Sequence, residues 1–229
     1  SQTQVSEDTT LVQNVMSRGS FATQLDGKWN YQVGYDFNYE LSKTERISQE
    51  TVDMGDYAFF ASVMWTPTYR LSIQPGLRYA YNTRFNSPIV PSINLKYEIN
   101  ERTKLRVSYA QGFRAPSIKE LYLDFVDQNH MIFGNENLIP ENSKNVNASV
   151  AWHSSLNSTK QSIKIEPAVF YNYIQDRIQL VKTGVSDREF TYLNISEYTT
   201  FGGKIDVRYS IHPDFTFNLG YSHLGYSNI

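Results

Sequence analysis

YQVGYDFNYEL, Tyr31 to Leu41, sets an apolar residue at every odd position and a polar or small one at every even position. A period of two puts successive side chains on opposite faces of a strand, so this stretch reads as a ribbon with one apolar and one polar face. It is also long, since strands of soluble sheets typically run about five or six residues. The same rhythm recurs at Leu71–Tyr81, Ile93–Ile99, Leu105–Tyr109, Ile163–Tyr173, Ile205–Ile211 and Phe215–Tyr221. Weaker versions cover 10–25, 56–66, 144–153 and 189–200. No stretch of useful length carries a helical period, so the chain is expected to be all-β, with about ten long strands.

The chain has 229 residues, enough for one large or two small domains. Its apolar fraction is 40%, low for a well-cored soluble protein, yet 17 tyrosines raise the aromatic share to 14%. Tyrosine is apolar along its ring and polar at its tip, which suits surfaces neither wet nor dry. There is no cysteine, which excludes disulfides and cysteine zinc sites. A net charge of −2 argues against a nucleic-acid partner. No apolar run is long enough for a transmembrane helix, and Ser1–Thr10 is too polar for a signal peptide. Hydropathy does not separate a soluble protein from a membrane barrel, because half the strand residues of a barrel face water.

The connections alternate in length. Short ones are expected at Asp26-Gly27, Thr66-Pro67-Thr68, Asn100–Thr103, 154–160 and His212-Pro213-Asp214; longer, more polar ones fall at 43–55, 83–89, 113–143 and 181–188. Short turns on one rim and long loops on the other characterise outer-membrane barrels, whose tilted strands need about 9–11 residues to cross the bilayer. Trp29, Trp65 and Trp152 all lie beside short turns, where an aromatic girdle would sit. A large soluble β-sandwich with tryptophans capping its core is the competing reading. Pro75 and Pro167, on apolar stripes in mid-strand, are expected to mark bulges.

One segment breaks the alternation: Phe113–Ser143, FRAPSIKELYLDFVDQNHMIFGNENLIPENS. Asp124, Asp127 and His130 could be read as loop acids and a base, as in small outer-membrane proteases. Against that, no Gly-x-Ser-x-Gly, His-Glu-x-x-His or phosphate-cradling glycine loop occurs anywhere in the chain. A non-enzymatic protein is expected.

Tyr109–Tyr122, YAQGFRAPSIKELY, followed by Gly134–Ser143, GNENLIPENS, resembles the paired boxes of TonB-dependent outer-membrane receptors. In that family a strand climbs into Phe-Arg-Ala-Pro, crosses an extracellular loop and re-enters near Gly-Asn-Pro-Asn-Leu-x-Pro-Glu; here Glu136 stands where the family often has proline. Val169–Val181 and Tyr192–Ile211 also resemble the strands that follow. The resemblance implies an antiparallel up-and-down transmembrane β-barrel in the bacterial outer membrane, with short periplasmic turns and longer extracellular loops. It also implies uptake of a scarce ligand of the iron–siderophore, haem, cobalamin or glycan class. Barrels of this kind have about 22 strands around a plugged lumen. Residues 1–229 are therefore expected to be part of one barrel domain, with the plug and the remaining strands absent. The implied partners are the lipid bilayer, a small-molecule or chelate ligand, and the TonB complex acting through that plug.

Within the broken stretch, some haem receptors of the family carry a histidine between the two boxes. His130 occupies that interval and is the candidate ligand for haem iron, haem or chelated iron being cargo rather than a resident cofactor. Arg114 is a candidate for an acidic ligand or a plug carboxylate, or else for orienting Ala115-Pro116. Tyr122, Phe125 and Phe133 form either an aromatic ligand platform or packing inside the loop. Asn135, Asn137 and Pro140 are expected to shape the return turn.

Overall fold

The computed structural model describes residues 10–25, 27–44, 47, 51–156, 161–184, 186–212 and 215–228. Asp26, Pro213, Asp214, part of each of the connections 43–55, 154–160 and 181–188, and Ile229 lie outside the described residues. Ten long strands carry the fold: β1 (Thr10–Leu25), β2 (Trp29–Thr44), β3 (Val52–Thr68), β4 (Leu71–Asn82), β5 (Val90–Asn100), β6 (Thr103–Arg114), β9 (Glu141–Leu156), β10 (Gln161–Lys182), β11 (Glu189–His212) and β12 (Phe215–Asn228). Each pairs antiparallel with its neighbour in sequence, β6 pairing with β9 across the inserted segment. Among the described residues β1 and β12 do not pair with each other.

Register follows the sequence rhythm. Tyr31, Val33, Tyr35 and Phe37 stand opposite Val63, Ala61, Phe59 and Tyr57, so apolar residues share one face across β2 and β3. The same face continues through Leu105, Val107 and Tyr109 against Val150, Ala148 and Val146. Phe59, Leu77, Val169 and Leu219 on it are exposed, as expected of a surface solvated by lipid. The opposite face holds Asp36, which receives Arg18 at 3.1 Å and Arg78 at 3.5 Å, along with Ser62, Gln74, Asn147 and Ser108. Trp29 stacks on Trp65 at 5.5 Å between centroids, directly across β2 and β3 on the apolar face at the short-turn end.

Several details differ from expectation. The turn after β3 is Tyr69-Arg70, with Pro67 still in the strand and a register shift between Trp65 and Thr68. Pro75 and Pro167 do not mark bulges. Pairing runs through Pro75 on the β5 side and through Pro167 on the β11 side, and lapses only toward β3 and β9, where an N–H is missing. Gly27 adopts φ +62°, the left-handed conformation that a tight hairpin between β1 and β2 requires. Asn100 closes the β5–β6 turn by accepting the Arg102 N–H at 2.9 Å.

The segment between β6 and β9 is not a simple loop. It holds a short helix, α1 (Ile118–Tyr122), and a hairpin of β7 (Asp124–Val126) and β8 (Met131–Phe133). β8 adds in parallel to Glu189–Thr191 of β11, extending the wall beyond the rim. Val169 supplies a test of the lipid-facing assignment. In the protein refolded into bilayers, Val169→Arg is expected to cost ~2–4 kcal/mol although the side chain is 61% exposed, and denaturant titration reads it. An unchanged midpoint would mean that the apolar face meets water.

Candidate functional site at the barrel mouth

The main buried apolar cluster lies at the long-loop end: Ile47, Val52, Ile118, Leu121, Tyr122, Leu138 and Ile178, with Met54, Phe85 and Tyr192 packed against it. Val52 and Met54 lie on β3, Ile178 on β10 and Tyr192 on β11, all on the polar, lumenal face. β4, β5, β6 and β9 separate β3 from β10 in the sheet. One helix touching both sides must therefore lie inside the curve of the wall. The inserted segment thus turns inward into the barrel mouth.

Local chemistry explains why the helix forms. Ser117 caps it: its hydroxyl accepts the Glu120 N–H at 3.2 Å, while the Glu120 carboxylate accepts the Ser117 N–H at 2.8 Å. This reciprocal pair satisfies two donors at the helix start. Glu120 also accepts Arg114 Nη1 at 2.9 Å, and Arg114 Nη2 donates to Glu141 Oε1 at 2.5 Å. Burial pushes the Glu120 carboxyl up, but the bonds from Arg114 and Ser117 outweigh it and hold the group below its ordinary range. Glu141 Oε1 further accepts the Ile178 N–H at 2.7 Å. Arg114 thereby ties together the strand that leaves the wall, the helix in the mouth and the strand that returns.

The second box completes the clasp. Gly134 lies so close to α1 that an added Cβ would meet the Leu121 carbonyl and the Tyr122 nitrogen at 2.6 Å. Asn135 donates its N–H to the Glu120 carbonyl at 2.9 Å and its side-chain amide to the Tyr192 carbonyl at 2.9 Å. It also accepts the Asn137 N–H at 3.0 Å, the return turn expected of these asparagines. Leu138 enters the core. Asn194 of β11 brackets Ile139, accepting its N–H at 3.0 Å and donating to its carbonyl at 2.9 Å.

The five candidate ligand residues separate into two groups. Arg114 directs its donors at Glu120 and Glu141. Tyr122 is 7% exposed, and its hydroxyl accepts Arg84 Nη1 at 2.7 Å while the same guanidinium lies over its ring. Phe125 and Phe133 sit on the β7–β8 hairpin, half-buried. His130 is at the hairpin tip, its side chain 57% exposed and its Nδ1 3.6 Å from Asp127. Asp127 accepts the N–H groups of Asn129 and His130, and these bonds hold its carboxyl below the usual range. Arg188 from the β10–β11 connection donates to the Gln128 carbonyl at 2.7 Å. Glu120, Glu141, Arg84 and Asn194 escape sequence reasoning. Only the Ser-x-x-Glu spacing of Ser117 and Glu120 carried a signal, that of a helix start.

Long antiparallel strands with an apolar outer face, a polar inner face and an aromatic pair at one rim define a transmembrane β-barrel of the bacterial outer membrane. The chain belongs to the TonB dependent receptor-like, beta-barrel family, whose model matches residues 2–229. It is 25% identical over 170 residues to the vitamin B12 transporter BtuB of Vibrio cholerae, covering 71% of this chain and 26% of BtuB. The siderophore receptor PirA of Pseudomonas aeruginosa has a similar structure, with a TM-score of 0.83, 18% identity, and coverage of 96% of this chain and 44% of that one. The Serratia marcescens hemophore receptor HasR, solved with its hemophore HasA and heme, superposes with a TM-score of 0.75 at 14% identity, over 95% of this chain and 42% of that one. The chain thus spans less than half the length of these relatives.

Gly134→Val is expected to undock the helix at a cost of about 1–3 kcal/mol, because the obstacle is helix backbone rather than a movable side chain. Amide exchange of residues 117–140 in the full-length receptor should quicken while the strands stay protected. Equal protection in both proteins would show that the contact yields.

Proposed function

We propose that this chain forms part of the barrel of a TonB-dependent outer-membrane receptor. It takes up a scarce extracellular ligand of the iron–siderophore, haem, cobalamin or glycan class and catalyses no reaction. The observation that carries this reading is the family match along nearly the whole chain. The vitamin B12 transporter, the siderophore receptor and the hemophore receptor among its relatives favour a chelate as cargo. The outer edges of β1 and β12, unpaired among the described residues, are suited to further strands that close the barrel, since bare edges are an aggregation hazard. The TonB complex acts on a plug domain of the same polypeptide. The test is uptake of labelled ferric siderophores, haem, cobalamin and oligosaccharides by cells carrying the full-length receptor, with and without TonB. Uptake of one class that disappears without TonB is expected; uptake indifferent to TonB would overturn the reading.

Within it, His130 is the residue that meets haem iron, with Phe125 and Phe133 further down the same hairpin, on its opposite faces. Arg114 and Tyr122 act indirectly by holding the segment that carries them. An exposed imidazole at a hairpin tip supports the assignment, as does the heme-bearing complex of the relative HasR. His130→Ala in the full-length receptor is expected to weaken haem binding at least about tenfold and to change the Soret spectrum. An identical spectrum and affinity would remove His130 from the site.

A further inference from the structure

The outward face of the wall changes character within one row of side chains. Ile93, Tyr109, Val146, Tyr171 and Phe201 stand in register across β5, β6, β9, β10 and β11, on the face that meets lipid. One row nearer the long loops, the same face carries Gln111, Lys144, Tyr173 and Thr199; the row after that carries Asn142, Gln175 and Glu197. On β10 the apolar stripe runs from Ile163 to Tyr171, which matches the roughly 9–11 residues a tilted strand needs to cross a bilayer. Tyr109 and Tyr171 therefore lie at the outer interface, where aromatic rings gather, and the polar rows lie at the level of the headgroups.

Gln111, Asn142, Lys144, Tyr173 and Gln175, with Pro88 from the β4–β5 connection, line a small recess of about 50 Å³ at this level. The charged residues that register places on the outward face here are Lys144, Glu197 and, one row further, Arg177. Glu197 accepts the Tyr173 hydroxyl at 3.0 Å, and Arg177 lays its guanidinium over the Tyr198 ring at 3.8 Å. Glu141, the nearest acid along β9, is on the lumenal face with Arg114. Lys144 is thus exposed and without an ion pair among the described residues. A lone cation at headgroup level favours a phosphate, and amide side chains beside it both donate to and accept from sugar hydroxyls.

We infer that this recess binds the phosphorylated sugar headgroup of a glycolipid of the outer leaflet. Lys144 takes the phosphate, and Gln111, Asn142 and Gln175 take the sugar. The occupant follows from continuity with the lipid-facing belt. Acyl chains lying along Val146, Tyr171 and Phe201 bring their own headgroup to the row directly above, without the lipid leaving the bilayer. The site is on the outside of the wall, apart from the mouth and from any cargo.

A benzophenone attached at Asn142→Cys, in an otherwise cysteine-free full-length receptor, tests this. The receptor is placed in phosphatidylethanolamine vesicles that contain either diphosphoryl lipid A or the same lipid stripped of its phosphates. Ultraviolet irradiation is expected to label diphosphoryl lipid A at least about tenfold more than the phosphate-free form. Adding Lys144→Glu should remove that preference, Lys144→Arg should keep it, and Lys96→Glu on the lumenal face should leave it unchanged. Equal labelling of the two lipids would mean ordinary boundary lipid and would overturn the inference. So would a preference indifferent to Lys144→Glu, or one abolished by millimolar inorganic phosphate, which would make free phosphate the occupant.

Discussion

Backbone hydrogen bonding in hydrocarbon is the constraint on which this architecture depends. A peptide group facing lipid has no water to fall back on, and leaving it unpaired costs several kcal/mol, so the wall must be a continuous ladder. The unbroken run of antiparallel partners from β1 to β12 meets that demand. Both mid-strand prolines fit because each gives up pairing on one side only. The sequence rhythm serves the ladder: with hydrogen bonds in the sheet plane, side chains are free to divide between lipid and lumen, and a slip of one residue would invert the whole division.

That division leaves the wall without a core of its own, since its apolar side chains face lipid. The buried apolar residues instead gather at the mouth, where α1 joins β3 to β10 and β11. The cluster draws on sequence from Ile47 to Tyr192, so it fixes the relative positions of loops that the strands alone leave independent. Arg84, donating to both Tyr122 and the Asp53 carbonyl, binds the β4–β5 connection into the same assembly. The hairpin that carries His130 at its exposed tip follows directly on this assembly.

The wall was legible in the sequence because period-2 alternation is a local signal, repeated in every long strand. Tyr31–Leu41 alone fixes a face and a direction, and the tryptophans mark an end. The mouth was legible only in part. Phe-Arg-Ala-Pro and the second box pointed to the place, but the role of Arg114 depends on Glu141, far along the chain, and on the Ile178 N–H, which no side-chain pattern announces. Asn194 acts through backbone groups of Ile139, a contact with no sequence signature. The helix was missed because five residues are too few to display a period, although Ser117 and Glu120 mark its start. The turn after β3 was misplaced because Thr-Pro-Thr reads as punctuation, whereas a register shift absorbs Pro67 and the strand runs on.

Magnitudes decide what holds the mouth together. Arg114 is 44% exposed, and partly solvated ion pairs contribute about 1 kcal/mol or less apiece. Burying Ile118, Leu121 and Leu138 contributes roughly 1.5–3 kcal/mol for each side chain. The apolar cluster therefore supplies the docking energy, and the ion pairs supply direction. A guanidinium that reaches Glu120 and Glu141 together admits few placements of α1 relative to the two strands, whereas an apolar surface tolerates many. The box arginine thus works as a register pin for the helix. The tight approach of Gly134 follows from the same placement, since only that docking brings the second box against the helix backbone.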